Sequence, residues 1–137
     1  MRGAGQGDLA DAGPGRQGSV GVLVVDDQAS FRVVLRELVA ATEGFTLAGE
    51  AASGEQALDA VARLAPHMVI MDKRMSGMGG IAAARAMRTR DPGLVVVLVS
   101  VEEPDPEVIR SCGAAAFVRK QELSPALLRG LWEAHGR

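Results

Sequence analysis

Residues 20–27 read VGVLVVDD, and this stretch indicates the architecture of the chain. A short, Val-rich apolar run is followed directly by two aspartates. Such a run is typical of a strand that is buried on both faces, as in parallel sheets covered by helices. The change from valine to Asp26 and Asp27 marks the carboxyl end of this strand, which is where open parallel sheets bind their ligands.

The same pattern recurs along the chain, with segments of helical spacing between the apolar runs. This repetition of five β-α units predicts an α/β fold, in which a parallel sheet lies between two layers of helices and the crossovers are right-handed. Strands are predicted over 20–25, 45–50, 68–71, 94–99 and 115–119, and helices over 30–41, 54–64, 80–90, 106–112 and 124–134.

Length and composition fit one domain with a proper core. The chain has 137 residues, of which 47% are hydrophobic, and its net charge of −2 predicts no nucleic-acid-binding surface. No apolar run approaches the roughly 18 residues that a membrane helix needs. Cys112 is the only cysteine, which excludes an internal disulfide and fits a cytoplasmic location. Residues 1–18 are Gly-rich, and we expect a flexible tail there, before a domain over 19–137.

Polar side chains follow four of the predicted strands. Asp26 and Asp27 follow the first strand, Asp72 the third, Ser100 the fourth and Lys120 the fifth. If these strands are neighbours, three carboxylates, a hydroxyl and an ammonium meet at one edge of the sheet. Each residue also has an ordinary explanation, since either Asp26 or Asp27 could simply cap the next helix. The full set at matching strand ends favours a functional site.

The chemistry of such a cluster points to phosphoryl transfer. Carboxylates held close together repel one another, and a divalent cation such as Mg²⁺, with Mn²⁺ as an alternative, relieves that repulsion. One carboxylate then remains as a nucleophile that can form an acyl phosphate. Lys120 and Ser100 can hold the oxygens of the phosphoryl group.

The motifs at these positions resemble those of the response-regulator receiver domains of two-component signalling. They are VLVVDDQ at 22–28, VIMDKRMSGMGG at 69–80, VLVS at 97–100 and GAAAFVRK at 113–120. The resemblance extends over about residues 20–132 and implies a flavodoxin-like, doubly wound sheet with the strand order 2-1-3-4-5. The dipeptide Lys120-Gln121, which lacks the usual proline, is similar to receivers of LuxR-type transcription factors.

The resemblance also implies roles for individual residues. Asp72 would accept the phosphoryl group, and Asp27 and Asp72 would bind the metal directly. Asp26 would act through water, and the backbone carbonyl of Arg74 would complete the protein ligands. The remaining implied roles are those of Ser100 as a switch hydroxyl, Lys120 as a contact to the phosphoryl oxygen, and Phe117 as a rotating aromatic switch for which ordinary packing is the alternative.

Two positions depart from the usual pattern of the family. The loop after the acceptor reads MSG at 75–77 rather than Met-Pro-Gly, and the loss of proline should loosen it slightly. Val101 stands where alanine or glycine is usual, and we expect its β-branched side chain to narrow access to the phosphoryl group. Arg74 and Glu102 flank the pocket and could pair across its mouth, which would give a further control on the entry of water.

The last predicted helix has a wide apolar surface. Leu127 and Leu131 can face the sheet, while Leu128 and Trp132 lie on a neighbouring stripe. A broad buried face explains this pattern, and so does a protein contact with Trp132 as its anchor. Receivers often use their last helices for dimers and partners, which supports the second interpretation.

The expected function is a phosphorylation-switched signalling module rather than an enzyme, and its donor would be a histidine kinase or a phosphotransfer protein. Phosphorylation would pull Ser100 inward, move Phe117 and remodel the face through which a downstream protein or a second copy binds. With little chain after the last helix, we expect a stand-alone receiver or the receiver of a longer transcription factor, without direct nucleic-acid or membrane binding.

Two other function classes remain as alternatives. One is an interaction module that keeps the fold but does not depend on phosphorylation. The other is a small metal-dependent phosphatase or nucleotide-binding enzyme, which is disfavoured because no glycine-rich phosphate loop follows the first strand.

Overall fold

The computed structural model describes residues 12–13, 15–16, 19–103 and 105–136 of the chain. Two short segments, Ala12–Gly13 and Gly15–Arg16, pair as antiparallel two-residue strands. The rest of the tail that was predicted over residues 1–18 lies outside the described residues, so its flexibility stays a prediction.

Five parallel strands form the central sheet, in the order β2-β1-β3-β4-β5. This order confirms the predicted fold class and its topology. The strands are β1 (Val20–Val25), β2 (Phe45–Ala51), β3 (Met68–Asp72), β4 (Val95–Ser100) and β5 (Ala116–Arg119).

Five helices alternate with the strands, as the apolar spacing predicted. A short 3-10 helix, Lys120–Glu122, lies between β5 and the last helix. The helices are α1 (Ala29–Ala40), α2 (Gly54–Leu64), α3 (Gly80–Arg90), α4 (Pro106–Cys112) and α5 (Pro125–His135).

The strands alternate their side chains between two apolar cores, one on each face of the sheet. Leu23, Met71 and Leu98 pack on one face with residues of α2, α3 and α4. Val24 and Ile70 pack on the other face with residues of α1 and α5. Every residue of β3 and β4 is buried, which is why these strands read as continuous apolar runs rather than as an alternation.

Local signals fix several helix ends. The Ser124 side chain caps α5 by accepting a hydrogen bond from the backbone N–H of Leu127 at 3.1 Å. Gly113 follows α4 with a φ of +78°, as the sequence predicted for a helix C-terminus. α2 ends instead at Ala65, whose φ is +48°; the proline at position 66 favours this break because it disfavours a helical residue before it.

The last helix corrects one prediction. Leu128 is fully buried between α5 and the sheet, so its assignment to a partner surface was wrong. The stripe of Leu127 and Leu131 is only partly buried, because the helix is rotated relative to the face that was inferred from spacing. Trp132 is half-buried and packs edge-on to His67, with ring centroids 6.0 Å apart.

No helix in the described part of the chain has both the length and the apolar character needed to cross a membrane.

Candidate functional site

The carboxyl ends of β1 and β3 bring three aspartates together. Asp26, Asp27 and Asp72 each place one carboxylate oxygen within 4.8 Å of the others. The register accounts for this, since Val25 of β1 lies beside Met71 of β3, and each strand continues directly into its aspartate. The structure therefore confirms the predicted convergence of these residues.

Asp26 is the most enclosed member of the cluster, with none of its surface exposed. Its Oδ1 accepts a hydrogen bond from the backbone N–H of Gln28 at 2.8 Å. Its backbone carbonyl accepts one from Arg32 at 2.6 Å. Gln28 occupies the N-cap position of α1, and its side chain makes no capping hydrogen bond. Neither Asp26 nor Asp27 is thus the helix cap that was the ordinary alternative for them.

Lys120 supplies the positive charge that was expected at the end of β5. Its Nζ lies 3.3 Å from Oδ2 of Asp26 and 3.5 Å from Oδ2 of Asp72. The same ammonium lies 4.1 Å from the ring centroid of Phe31 on α1, in the range of a cation–π contact. Lys120 therefore bridges the two buried carboxylates while an aromatic ring supports it from the side.

The environment of Asp72 shifts the equilibrium of its carboxyl group toward the protonated form, relative to an exposed aspartate. Burial raises the pKa of the Asp72 carboxyl above its ordinary value, and the nearby charge of Asp26 raises it further. Lys120 and a hydrogen bond from the backbone N–H of Arg74, at 3.3 Å, act in the opposite direction. The upward direction of the pKa means that Lys120 and the Arg74 hydrogen bond do not fully offset the combined effect of burial and the Asp26 charge.

This donor set fits a small divalent cation. Carboxylate oxygens from three aspartates are hard ligands, of the kind that Mg²⁺ and Mn²⁺ prefer. Asp26 is buried and Asp27 is exposed, so the cluster is open to solvent on one side and an ion could enter while keeping some of its waters. Burial and the nearby charge of Asp26 raise the pKa of Asp72, and a cation bound at the cluster would act against both effects.

Ser100 ends β4 and is nearly fully buried. Its Oγ accepts a hydrogen bond from the backbone N–H of Glu102 at 3.1 Å. An accepting hydroxyl still has its own proton to donate, so Ser100 can act as a donor toward a group on Asp72. The structure thus places the predicted switch hydroxyl at the correct edge of the sheet.

Glu102 joins the loop after β4 to the loop after β3. Its carboxylate oxygens lie 2.6 Å from the guanidinium of Arg74 and 3.3 Å from Nζ of Lys73. These two hydrogen bonds, first that of Arg74 and then that of Lys73, hold the pKa of Glu102 below its ordinary value. The predicted pairing of Arg74 with Glu102 is confirmed, while its influence on water access stays a prediction.

Val101 lies between Ser100 and Glu102 in the sequence, and 69% of its surface is exposed. An exposed apolar side chain beside the pocket is compatible with the proposed narrowing of access, but it does not cover the pocket as a buried side chain would. Its effect on exchange stays a prediction.

Phe117 is buried in the core on the α2–α4 face of the sheet. Nζ of Lys73 lies 5.4 Å from the centroid of its ring. Lys73 thus contacts both the aromatic ring and Glu102 of the opposite loop. Sequence reasoning missed these contacts of Lys73, although its position directly after Asp72 was a usable signal.

Comparisons with known proteins give the family. A family model described as the response regulator receiver domain matches residues 22–131. The response regulator GacA of Pseudomonas syringae pv. syringae is 39% identical over 101 residues, which are 72% of this chain and 47% of that protein. The chain therefore spans about half the length of this relative.

Solved structures agree with the fold. The response regulator domain of CheB from Thermotoga maritima matches with a TM-score of 0.74 and 28% identity, over 85% of this chain and 96% of that one. A two-component response regulator of the LuxR family from Aurantimonas sp. SI85-9A1 matches with a TM-score of 0.76 and 27% identity, over 85% and 84% of the two chains.

Proposed function

The chain belongs to the response regulator receiver family, and on that premise we propose that it accepts a phosphoryl group on Asp72 and uses this modification as a signalling switch. The observation that carries the proposal is the meeting of Asp26, Asp27 and Asp72 with Lys120 at one edge of the sheet. In this arrangement Asp72 would be the nucleophile, and the two further carboxylates and the cation would lie within reach of its phosphoryl group.

The proposed reaction is a direct transfer to the carboxylate of Asp72. One of its oxygens forms a bond to phosphorus while the bond from phosphorus to the donor breaks, which is a P–N bond in a phosphohistidine. The donor nitrogen keeps the electron pair of that bond. Lys120, 3.5 Å from Asp72, would attract the oxygens of the phosphoryl group, and the hydrogen bond from the backbone N–H of Arg74 would hold the Asp72 carboxylate in position.

Mg²⁺, or Mn²⁺ in its place, is part of the proposal. Asp26, Asp27 and Asp72 would hold the ion together with the backbone carbonyl of Arg74. A bound divalent ion supplies charge neutralisation, both for the clustered carboxylates and for the oxygens of the phosphoryl group. The exposure of Asp27 gives the ion a path to the cluster.

The proposed output is a change of surface. Once Asp72 carries the phosphoryl group, the Ser100 hydroxyl donates to it, and the loop that holds Glu102 moves with Ser100. Phe117, whose ring lies 5.4 Å from Nζ of Lys73, the ion-pair partner of Glu102, would follow. The altered face would be built from α4, β5 and α5, and it would bind a downstream protein or a second copy of the chain.

The proposal describes a regulator in the cytoplasm rather than an enzyme with a substrate of its own. Its phosphoryl donor is a histidine kinase or a phosphotransfer protein. The low net charge of −2 gives no reason to assign direct binding of nucleic acid to this domain.

Mass spectrometry of the intact protein tests the proposal. We expect incubation with acetyl phosphate and Mg²⁺ to add the mass of one PO₃H group, and we expect the gain to vanish without the metal and in Asp72→Ala. Asp59→Asn, at an exposed aspartate that pairs only with Arg63 in the described contacts, is the matched control and should be modified like the parent. A parent protein that gains no mass under any of these conditions would favour an interaction module that is independent of phosphorylation.

A further inference from the structure

The loop that joins β3 to α3, residues 73–79, is here called the acceptor loop. Its ends are fixed by the backbone, since the N–H of Lys73 donates to the carbonyl of Val99 at 2.8 Å and the N–H of Gly80 donates to the carbonyl of Lys73 at 2.9 Å. The middle of the loop contains no proline, so other contacts must define its shape.

Two carboxylates from other elements bind the middle of the acceptor loop. Oδ2 of Asp27 accepts a hydrogen bond from the N–H of Ser76 at 3.5 Å, and Oε2 of Glu55 accepts one from the N–H of Met78 at 3.3 Å. Asp27 is also one of the proposed metal ligands. The N–H of Ser76 therefore competes with an ion for the carboxylate of Asp27. The carboxylate of Glu55 is not a proposed metal ligand, so the hydrogen bond that it accepts from Met78 meets no such competition.

Glu55 is available for this role because other residues cap its helix. The side chain of Ser53 accepts from the N–H of Gln56 at 3.1 Å, and the side chain of Gln56 accepts from the N–H of Ala52 at 2.9 Å. The first turn of α2 thus has its capping contacts without Glu55. The exposed Glu55 side chain instead reaches out of α2 toward the acceptor loop.

The acceptor loop also lies close against the start of α2. A Cβ atom added at Gly54 would lie 2.8 Å from the carbonyl oxygen of Met78, so only glycine allows this approach without a shift. Gly77 has a φ of +72°, and a Cβ there would lie 3.4 Å from Oε2 of Glu55. The backbone conformation at Gly77 therefore presents the loop directly to the Glu55 carboxylate.

We infer that Glu55 is a positioning residue for the metal site: by holding the N–H of Met78, it fixes the acceptor loop that carries the Arg74 carbonyl. It replaces, through a hydrogen bond, the rigidity that a proline in the loop would provide. The inference rests on the proposed function, because it assumes that Arg74 supplies a metal ligand. It adds a residue on α2 to a site otherwise built from the loops after β1, β3, β4 and β5.

Two variants separate the hydrogen bond from the charge of Glu55. Glu55→Ala removes both, while Glu55→Gln removes the charge but keeps an accepting oxygen. We expect Glu55→Ala to weaken the binding of Mg²⁺ roughly 2- to 10-fold, the range of one net hydrogen bond, and Glu55→Gln to bind nearly as well as the parent. Asp59→Asn removes a carboxylate from the same helix and should leave Mg²⁺ affinity unchanged.

Two measurements make the test. Titration of the backbone amide signals with Mg²⁺, followed by NMR, gives the affinity, and hydrogen exchange of the Met78 amide in metal-free protein gives the state of the loop. We expect exchange at Met78 to be faster in Glu55→Ala and close to that of the parent in Glu55→Gln.

The outcomes are distinguishable from failure of the proposed function. If the parent binds no Mg²⁺, the proposed function and this inference both fail. If the parent binds Mg²⁺ and Glu55→Ala binds it equally well, the inference alone fails. Equal losses in Glu55→Gln and Glu55→Ala would also overturn it, because they would show that the charge of Glu55 acts rather than its hydrogen bond.

Discussion

The three aspartates of the cluster differ in what surrounds their carboxyl groups. Asp26 is fully buried and hydrogen-bonded to the backbone, Asp27 is exposed, and the side chain of Asp72 is 11% exposed. Burial and the charge of Asp26 raise the pKa of Asp72, so the ionised form of this residue is disfavoured in the fold when no cation is present. Without metal, the ionised carboxylate of Asp72 therefore lowers the free energy of unfolding.

Replacing Asp72 with asparagine should stabilise the metal-free protein at neutral pH. A carboxyl whose pKa is raised by folding stabilises the fold below its unfolded pKa of about 3.9, and this contribution is lost as the pH rises through the folded pKa. The stability advantage of Asp72→Asn should therefore be smallest in acid, grow as the pH rises through that range, and level off above it. Urea unfolding in the presence of a chelator measures the free energy of unfolding at each pH.

The control for this prediction is Asp59→Asn, at an exposed carboxylate paired with Arg63. Its free energy of unfolding should follow that of the parent closely across the same pH range, since surface pairs contribute little. An Asp72→Asn protein that is less stable than the parent at neutral pH would contradict the account of Asp72.

Residue type and position at strand ends were enough to predict which polar side chains meet at the carboxyl edge of the sheet. These are Asp26, Asp27, Asp72, Ser100 and Lys120. Contacts made by long or rotated side chains were not predictable in the same way. Spacing alone left the rotation of α5 open, which is why Leu128 was misplaced. The cation–π contact between Lys120 and Phe31 joins residues far apart in sequence, and no local pattern encodes it.

At the scale of elements, the loops after β3 and β4 are linked by charge. The carboxylate of Glu102 forms ion pairs with Arg74 and Lys73 of the loop after β3, and its backbone N–H donates a hydrogen bond to Oγ of Ser100. Glu102 therefore links the loop after Asp72, the proposed acceptor, to Ser100, the residue that is proposed to move on phosphorylation. Because these side chains are exposed or partly exposed, salt should weaken the link.

Glu102→Gln should shorten the lifetime of the acyl phosphate on Asp72. Loss of the ion pairs leaves the mouth of the pocket more open to water, and the strength of surface pairs sets the expected increase in hydrolysis rate at roughly 1.5- to 5-fold. The decay of the phosphorylated protein, followed by mass spectrometry, gives the rate. Added salt should accelerate decay of the parent more than decay of the variant.

Glu107→Gln is the matched control, because the exposed Glu107 pairs with Arg110 within α4 rather than across the two loops. Its decay rate should equal that of the parent. Val101→Ala in the same assay tests whether that side chain slows exchange, and an unchanged half-life would reject this role. Equal rates for Glu102→Gln and the parent would show that the ion pairs do not control access.

The elements themselves were largely predictable, because apolar runs and turn residues mark them. The predicted strand over 94–99 and the observed Val95–Ser100 differ by one residue at each end. Ends of this kind depend on hydrogen bonds to neighbouring strands, which the sequence of one strand does not contain. The left-handed residue at Ala65 was also not predictable from its type, since alanine rarely adopts that conformation.

At the scale of the whole molecule, the topology itself creates the site. The strand order places β3 between β1 and β4, so Asp72 lies centrally on the sheet edge, with the other carboxylates on one side and Ser100 on the other. The same sheet carries both apolar cores. An ion that binds at this edge only in the folded state therefore stabilises the fold as a whole, through the two loops after β1 and β3 that carry the aspartates.

Mg²⁺ should raise the melting temperature of the parent. An ion that binds only the folded state at ten times its dissociation constant adds about 1.4 kcal/mol, or roughly 4–8 °C for a domain of this size. In Asp27→Asn, which loses an exposed ligand and should fold normally, most of this increase should disappear, whereas Asp59→Asn should keep it. Thermal unfolding at matched ionic strength separates ion binding from general screening by salt. An equal rise in melting temperature in Asp27→Asn would show that the ion binds elsewhere than at the aspartate cluster.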